Sequence, residues 1–177
     1  MSDANVFAPA GRPIFNPAPV RGQTKVFAPQ TSTTEVFVPA TMFVERGATV
    51  TPGYVGAFPK LDMTAFASVV ATDDAPRTWG SFTVSVVHAK ASSESGDVPI
   101  RVRHAAVDAP NDTTAVLGDI IGEISPTMPS LQNSVLVSTV GVVDRAPGAV
   151  MSGFLVDRYA SGSYSGIWSF YGLLLRV

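Results

Sequence analysis

A short motif, in which a β-branched residue is followed by Phe, a spacer residue and Pro, occurs four times before residue 40. The four Phe-x-Pro motifs are Val6-Phe7-Ala8-Pro9, Ile14-Phe15-Asn16-Pro17, Val26-Phe27-Ala28-Pro29 and Val36-Phe37-Val38-Pro39. Proline lacks a backbone N–H and clashes inside a helix, so this segment is excluded from helices and central strands. The residue before each proline is restricted to extended conformations. We therefore predict that residues 1–40 form an extended arm whose Phe rings must be buried on another surface.

The predicted arm has the chemistry of a docking segment. Its expected partner-binding residues are the Phe and Pro of each motif: Phe7, Phe15, Phe27, Phe37, Pro9, Pro17, Pro29 and Pro39. Burial of one Phe stabilises an association by roughly 1.5–3 kcal/mol, and proline limits the freedom lost on binding. The uneven spacing of the four motifs favours contacts to successive neighbouring subunits over identical pockets on one protein. The alternative is a flexible tether in which the Phe residues are incidental.

The composition limits the possible partners of the chain. Charged residues make up 15% of the 177 residues, well below the usual quarter, whereas hydrophobic residues make up 46%. Low charge with ample apolar content predicts that partners cover much of the surface. The net charge of −2 provides no basic field, so we expect no nucleic acid partner. The absence of cysteine excludes disulfides, thiolate nucleophiles and Cys-based metal sites.

The N-terminal residues Met1-Ser2-Asp3-Ala4-Asn5 lack the positive and apolar regions of a secretory signal. No stretch approaches the roughly 18 apolar residues of a membrane helix. We therefore expect synthesis in a cytoplasm and no membrane partner.

After residue 40, short β-branched and aromatic runs alternate with clusters of Gly, Pro, Asn, Asp and Ser. These runs predict strands at 41–46, 54–58, 65–72, 79–90, 98–107, 114–124, 134–143, 149–158 and 167–177. Thr51-Pro52-Gly53 and residues 161–166 are predicted as breaks between strands, and residues 162–166 as a hairpin loop. Strands at this spacing predict an all-β fold over residues 41–177, either a sandwich or a barrel.

Two of the predicted strands show a clean alternation of apolar and polar residues. The apolar-side residues are Phe82, Val84, Val86 and His88 in one strand and Val98, Ile100, Val102 and His104 in the other. Arg101 and Arg103 fall on the opposite face of the second strand. A period of two predicts that the apolar faces point into the core and the arginines away from it.

The last predicted strand is apolar on both faces. Counting by two places Tyr171, Leu173 and Leu175 on one face and Trp168, Phe170 and Leu174 on the other. A strand that is apolar on both faces needs cover on both, which predicts a homo-oligomer such as a closed ring. The predicted oligomer-interface residues are Trp168, Phe170, Tyr171, Leu174, Arg101, Arg103 and Arg158. The arginines would form either inter-subunit ion pairs or a solvated face.

The two histidines, His88 and His104, are predicted at inward positions on strands that could pair. They could form a metal site or an acid–base pair, but hydrogen-bonded buried imidazoles are favoured because no Asp or Glu is spaced to complete a metal shell. The stretch Gly162-Ser163-Tyr164-Ser165-Gly166 has Tyr where a nucleophile elbow requires Ser.

Two acidic clusters are also candidates for chemistry. Asp73-Asp74 could be half of a glycosidase carboxylate pair, and Asp108, Asn111 and Asp112 could bind calcium. Polar turns explain both clusters better, because Asp caps turns and the second cluster lacks the spacing of a calcium loop. The sequence therefore predicts no catalytic residues, no metal, no cofactor and a protein that is not an enzyme.

Five segments share one pattern of strand lengths and turn residues: Phe82–Ala91, Ser95–Arg103, Gly148–Arg158, Tyr164-Ser165-Gly166 and Tyr171–Val177. In this pattern they resemble the jelly-roll virion proteins of tailed bacteriophages. The similar features are a strand that leads through a Gly-Asp turn into an outward-charged strand, and later a Gly-rich loop before a hydrophobic final strand. His88 departs from the pattern, since an aromatic residue often stands at that place.

The resemblance implies a jelly-roll-like antiparallel β-sandwich over residues 41–177. It also implies a trimer that serves as a capsid decoration (cement) protein, head fibre or tail-fibre head. On that basis we expect a virion structural protein on the capsid surface, with its arm bound to the major capsid protein or another virion protein. The alternative is a fibre head or a receptor- or glycan-binding jelly-roll module, and a third option is a cellular TNF-like or lectin-like module. Exposure of Trp79, Tyr159, Tyr164 or Trp168 would favour glycan binding, because flat rings stack on sugars, and burial would count against it.

Overall fold

The structure is a computed structural model that describes residues 34–46, 50–72, 75–90, 94–107, 118–129, 131–144 and 151–177. The first three Phe-x-Pro motifs lie outside these residues, and so do Asp73-Asp74 and Asp108 to Asp112. The described residues from Glu35 to Val177 belong to one unit.

The described residues form thirteen strands and one short 3-10 turn at Ala40–Met42. The strands are β1 (Glu35–Pro39), β2 (Val44–Glu45), β3 (Val50–Val55), β4 (Phe58–Met63), β5 (Ser68–Thr72), β6 (Ser81–Lys90), β7 (Gly96–Asp97), β8 (Ile100–Val107), β9 (Asp119–Ile124), β10 (Thr127–Met128), β11 (Leu136–Asp144), β12 (Met151–Asp157) and β13 (Trp168–Arg176). Within this part of the chain no helix is long enough to cross a bilayer. The predicted all-β class is confirmed.

The strands form two antiparallel sheets. The larger sheet has the order β11-β6-β13-β4-β3, and β1 pairs with the C-terminal half of β13. The smaller sheet has the order β9-β8-β12-β5-β2, while β7 and β10 form a separate two-stranded ribbon. The two main sheets enclose one hydrophobic core. This arrangement confirms the predicted antiparallel β-sandwich.

The period-two alternation of β6 and β8 produces the core as predicted. Phe82, Val84 and Val86 of β6 are buried, as are Ile100 and Val102 of β8. Because β6 and β8 belong to different sheets, these two apolar faces meet across the sandwich. The prediction that the two strands could pair with each other is therefore wrong.

A β-bulge in β13 changes which of its residues face the core. Phe170 pairs with His88 and Gly172 with the preceding residue Val87, so Tyr171 is the inserted residue. Gly172 has φ +146°, a backbone conformation that favours glycine. An inserted residue shifts the alternation by one position for the rest of the strand.

As a consequence, the core residues of β13 are Trp168 and Phe170 before the bulge and Leu173 and Leu175 after it, and all four are completely buried. Leu174 lies on the opposite, outer face of the larger sheet. The predicted grouping of Trp168 and Phe170 with Leu174 is wrong, because counting by two does not hold across a bulge. The apolar character of Trp168 and Phe170 is thus explained within one chain.

The fourth Phe-x-Pro motif is part of the sandwich. It forms β1, in which Val38 pairs with Leu173 and Phe37 with Leu174. Val38 is completely buried in the core, whereas Phe37 points to the outer face and is 47% exposed. The unit that contains the sandwich begins at Glu35, earlier than the predicted boundary after residue 40.

Strands β3 and β4 form a hairpin that the sequence did not predict. Val55 pairs with Phe58 across a two-residue turn in which Gly56 has φ +59°, so the predicted strand 54–58 is interrupted at its centre. The predicted break at Thr51-Pro52-Gly53 lies inside β3. Pro52 is tolerated there because β3 is an edge strand.

Candidate functional site

A cleft of about 200 Å3 lies between the 3-10 turn and the β3–β4 hairpin. Its walls and floor come from the turn region and from both strands of the hairpin: Ala40, Thr41, Phe43, Pro52, Gly53, Tyr54, Pro59, Lys60 and Leu61. It is smaller than the roughly 300–1,000 Å3 of pockets for drug-sized ligands, so it suits a single small ring.

The floor of the cleft is anchored to the core. Phe43 and Leu61 are buried, and the Phe43 ring meets the Phe170 ring edge-on with centroids 4.9 Å apart. Tyr54, which is 73% exposed, also lines the cleft. The cleft therefore combines a fixed apolar floor with an exposed aromatic ring that carries a hydroxyl group.

A polar cluster supports the hairpin next to the cleft. The Lys60 ammonium donates to both carboxylate oxygens of Asp62, at 2.6 Å each, and to Ser169 Oγ at 3.2 Å. Ser169 Oγ donates to Asp62 Oδ1 at 2.6 Å. Burial raises the pKa of Tyr171, and the negative charge of Asp62 raises it further. Because Asp62 and Ser169 engage its ammonium, Lys60 lines the cleft with its aliphatic stem.

Two exposed aromatic rings stand at the end of the β3–β4 hairpin. Tyr54 pairs with Pro59, and Phe58 pairs with Val55 on the next rung, so the two rings lie on opposite faces of the hairpin. Phe58 is 70% exposed. The sequence analysis did not identify Tyr54 as a site residue. Its position between Pro52-Gly53 and Gly56 could have indicated an aromatic ring close to a turn.

The structure places His88 in the core with both ring nitrogens hydrogen-bonded. Trp168 Nε1 donates to His88 Nδ1 at 3.0 Å, and His88 Nε2 lies 2.9 Å from Ser138 Oγ. Since Nδ1 accepts, the proton of the neutral ring lies on Nε2. Burial lowers the pKa of His88 to about 4. This geometry agrees with the favoured reading of His88 as a hydrogen-bonded core residue.

His104 is far from His88. Its ring packs against Phe82 and Phe154, with centroid distances of 6.3 and 5.0 Å. Phe82 precedes His88 by six residues along β6, which corresponds to roughly 20 Å at the rise of a strand. The two imidazoles are thus too far apart to share a metal ion. In the described ranges, no group of three or more His, Asp or Glu residues could hold one.

The arginines of the predicted oligomer interface have partners within the chain. Arg101 Nε donates to Asp157 Oδ2 at 2.8 Å, and the Arg101 guanidinium lies 4.8 Å from the centre of the Tyr159 ring. Arg103 Nη1 donates to the Gly118 carbonyl at 3.3 Å. Both side chains are partly exposed on the outer face of the smaller sheet.

The Arg158 side chain is buried and hydrogen-bonded to backbone carbonyls, and it does not lie on the surface. Its guanidinium donates to the carbonyls of Gly166 at 2.7 Å, of Met63 and Ser161 at 3.3 Å each, and of Tyr164. Burial lowers the pKa of Arg158. The segment it holds connects β12 to β13 in the other sheet, so the predicted hairpin loop at 162–166 is part of a crossover between sheets.

Most of the rings that the sequence proposed for sugar stacking are buried. Trp168 and Tyr164 have no exposed area, Trp79 is 8% exposed, and Tyr159 is partly exposed under the Arg101 guanidinium. Burial of Trp168, Tyr164 and Trp79 counts against sugar stacking on these rings. Tyr54, which lines the cleft, is an exposed aromatic residue that the sequence did not single out.

No protein-family model matches the sequence, and no curated protein sequence matches it. The fold is similar to that of a family 35 carbohydrate-binding module from Clostridium thermocellum, with 13% identity, a TM-score of 0.55 and coverage of 80% of this chain and 98% of the module. CsCBM6-3 from Clostridium stercorarium, in complex with cellobiose, has 14% identity, a TM-score of 0.52 and coverage of 80% and 92%. The module CBM36, in complex with calcium and xylotriose, has 12% identity, a TM-score of 0.52 and coverage of 78% and 97%. At these identities the similarity establishes the β-sandwich fold alone.

Proposed function

We propose that this chain is a carbohydrate-binding module that holds one sugar unit of a glycan in the cleft against Tyr54. The observation that carries the proposal is the Tyr54 ring, which is 73% exposed at the side of a preformed cleft with a buried apolar floor. A large ring left exposed beside a cleft is typical of a surface that binds a ligand.

The chemistry of the cleft suits a sugar ring. One face of a pyranose presents C–H groups with partial positive charge, which are attracted to the negative face of an aromatic ring. Tyr54 supplies such a face, and the hydroxyls of Tyr54 and of the exposed Thr41 can exchange hydrogen bonds with the sugar hydroxyls. Phe43 and Leu61 fix the floor, so binding requires little ordering of the protein.

The cleft favours binding over bond cleavage. Lys60, a titratable residue of its lining, has its ammonium engaged by Asp62 and Ser169, which leaves it poorly suited to proton transfer. The fold is shared with carbohydrate-binding modules whose structures contain cellobiose or xylotriose, which supports the same class of ligand here.

Capsid decoration remains a prediction. It rests on the Phe-x-Pro motifs and on the resemblance to phage virion proteins, and three of the four motifs lie outside the described residues. The fourth motif is built into the sandwich as β1, where Val38 is buried in the chain's own core.

The proposal is tested by titrating the full chain with neutral β-linked oligosaccharides, including xylotriose and cellobiose, in a calorimeter. Tyr54→Ala should weaken binding at least tenfold, which corresponds to about 1.4 kcal/mol. The matched control is Phe66→Ala, because Phe66 is also highly exposed, at 65%, but lies in the turn beyond the opposite end of β4.

If the Tyr54→Ala variant binds saccharide as tightly as the parent chain, the cleft is not the binding site. Absence of binding to every saccharide in the panel by the parent chain would remove the function itself. Circular dichroism of both variants verifies that the sandwich is intact.

A further inference from the structure

One edge of β1, its free edge below, has no partner among the described strands. β1 pairs with β13 along one side, and among the described strands no other pairs with β1. An unpaired edge presents backbone N–H and C=O groups that can pair with an extended segment of another chain.

The other sheet edges in the described ranges are protected. Gly122 of β9 and Gly141 of β11 lie where the two sheets meet, since a Cβ at either would stand 2.2 Å from a backbone oxygen of the other strand. β3 carries Pro52 within the strand, and β2 has only two residues. Proline and short strands are common protections of an edge. β1 carries its proline, Pro39, only at its end, so residues 35–38 are left without one.

β1 shows the conformation that a Phe-x-Pro motif adopts when it pairs with a sheet. The motif is extended and hydrogen-bonded to a sheet, with Val36 and Val38 on the core side and Phe37 on the outer side. The third motif, Val26-Phe27-Ala28-Pro29, repeats this pattern ten residues earlier. It therefore has the composition of a strand that can lie beside β1.

The residues that precede the two motifs carry opposite charges. Lys25 stands before the third motif, where Glu35 stands before the fourth. Glu35 is an exposed residue on the outer side of β1, where its carboxylate accepts from Arg176 Nε at 2.6 Å. Parallel, in-register pairing of the two motifs would place Lys25 beside Glu35 and Phe27 beside Phe37, and both cross-strand pairs are favourable.

This pairing cannot occur within one chain. Only residues 30–34 separate Pro29 from Glu35, whereas two parallel strands need a connection of about a dozen or more residues. We infer that the free edge of β1 binds the segment Lys25–Pro29 of a second copy of this chain as a parallel, in-register strand. The segment Lys25–Pro29 and the edge of β1 that receives it are different parts of the chain, so the contact is head-to-tail. Repetition of such a contact either closes a ring or extends a filament.

The first test is self-association of the full chain, measured by analytical ultracentrifugation over a wide concentration range. The parent should associate, and Lys25→Glu and Phe27→Ser should each weaken association at least tenfold. Arg21→Glu is the matched control, since it makes the same charge change as Lys25→Glu outside the segment Lys25–Pro29 and should alter the association less than twofold. A parent that stays monomeric, or an association that both variants leave unchanged, overturns the inference.

The second test fixes the orientation of the added strand and uses the absence of cysteine in the chain. Thr24→Cys copies are mixed with isotope-labelled Thr34→Cys copies under mild oxidation, and a mixed disulfide dimer is expected because these positions are opposite in the parallel register. Antiparallel pairing centred on Phe27 and Phe37 would instead join Gln30→Cys to Thr34→Cys. The inference is overturned if the Thr24→Cys and Thr34→Cys copies form no mixed disulfide while the Gln30→Cys and Thr34→Cys copies do. It is also overturned if the disulfide forms only within a single chain that carries both Gln30→Cys and Thr34→Cys.

Discussion

Trp168 donates its indole N–H to Nδ1 of His88 across 3.0 Å in the core of the sandwich. The bond joins β13 to β6, and the contact of His88 Nε2 with Ser138 Oγ extends the chain of hydrogen bonds to β11. Each buried polar group of this set has a partner, which offsets the cost of removing it from water. The arrangement requires a neutral imidazole, because a protonated Nδ1 has no lone pair to accept the indole proton.

Stability should fall in acid because of His88. Burial lowers its pKa from 6.5 to about 4, so below pH 6.5 the unfolded chain binds a proton that the folded protein does not take up. This contribution to stability is complete above pH 6.5 and is lost as the pH falls to about 4, at a cost of about 3 kcal/mol. Urea unfolding at pH 7 and pH 4.5 measures it. His88→Gln should reduce the difference in unfolding free energy between the two pH values, and the reduction measures the contribution of His88.

Replacement of Gly172 by Ala should destabilise the fold by about 2 kcal/mol or more. Gly172 has φ +146°, and a Cβ there would stand 2.2 Å from the Val38 carbonyl oxygen, so β1 would have to shift. Thermal and urea unfolding measure the loss. Gly53→Ala is the control, since its Cβ would meet Lys60 at an ordinary 3.5 Å, and it should leave the unfolding free energy nearly unchanged. Equal losses in the two variants would contradict the role given to the bulge.

Val38→Ala should cost about 2 kcal/mol of unfolding free energy. Val38 has no exposed area and packs in the core, so the truncation removes buried methyl groups and leaves a cavity. Val44→Ala, at a residue that is 64% exposed, should change stability by less than about 0.5 kcal/mol. If the two valines proved equivalent in urea unfolding, the fourth Phe-x-Pro motif would not belong to the sandwich.

Arg158→Lys should loosen the segment between β12 and β13. The guanidinium holds the carbonyls of Ser161, Tyr164 and Gly166 at once, and the single ammonium of lysine cannot reproduce that planar set of donors. We expect a loss of about 2 kcal/mol and faster hydrogen exchange in residues 159–167.

The control for this change is Arg103→Lys, because Arg103 donates to one carbonyl, that of Gly118, from a partly exposed position. Its effect on stability should be smaller than that of Arg158→Lys. Unchanged exchange in residues 159–167 of the Arg158→Lys protein would show that the segment is held by other contacts.

Tyr54 and His88 show where sequence reasoning about sites succeeds and where it fails. The inward position of His88 follows from alternation along one strand, and the structure places it in the core. The exposure of Tyr54 could not be predicted, because it depends on the unpredicted β3–β4 hairpin and on the cleft that the turn at Ala40–Met42 forms with it.

The sequence by itself determined the all-β class and the inward faces of β6 and β8, because a period of two is a local property of an extended chain. Only the tertiary structure decided that His88 and His104 lie in different sheets and that the fourth Phe-x-Pro motif becomes β1. It also decided that a bulge at Tyr171 puts Leu173 and Leu175 on the same core face as Trp168 and Phe170. Strand order, bulges and edges are set by pairing between segments distant in sequence. The physical reason is that each strand needs other strands to bury its apolar face and to form hydrogen bonds with its two backbone edges. The local sequence pattern does not specify which strands provide those contacts.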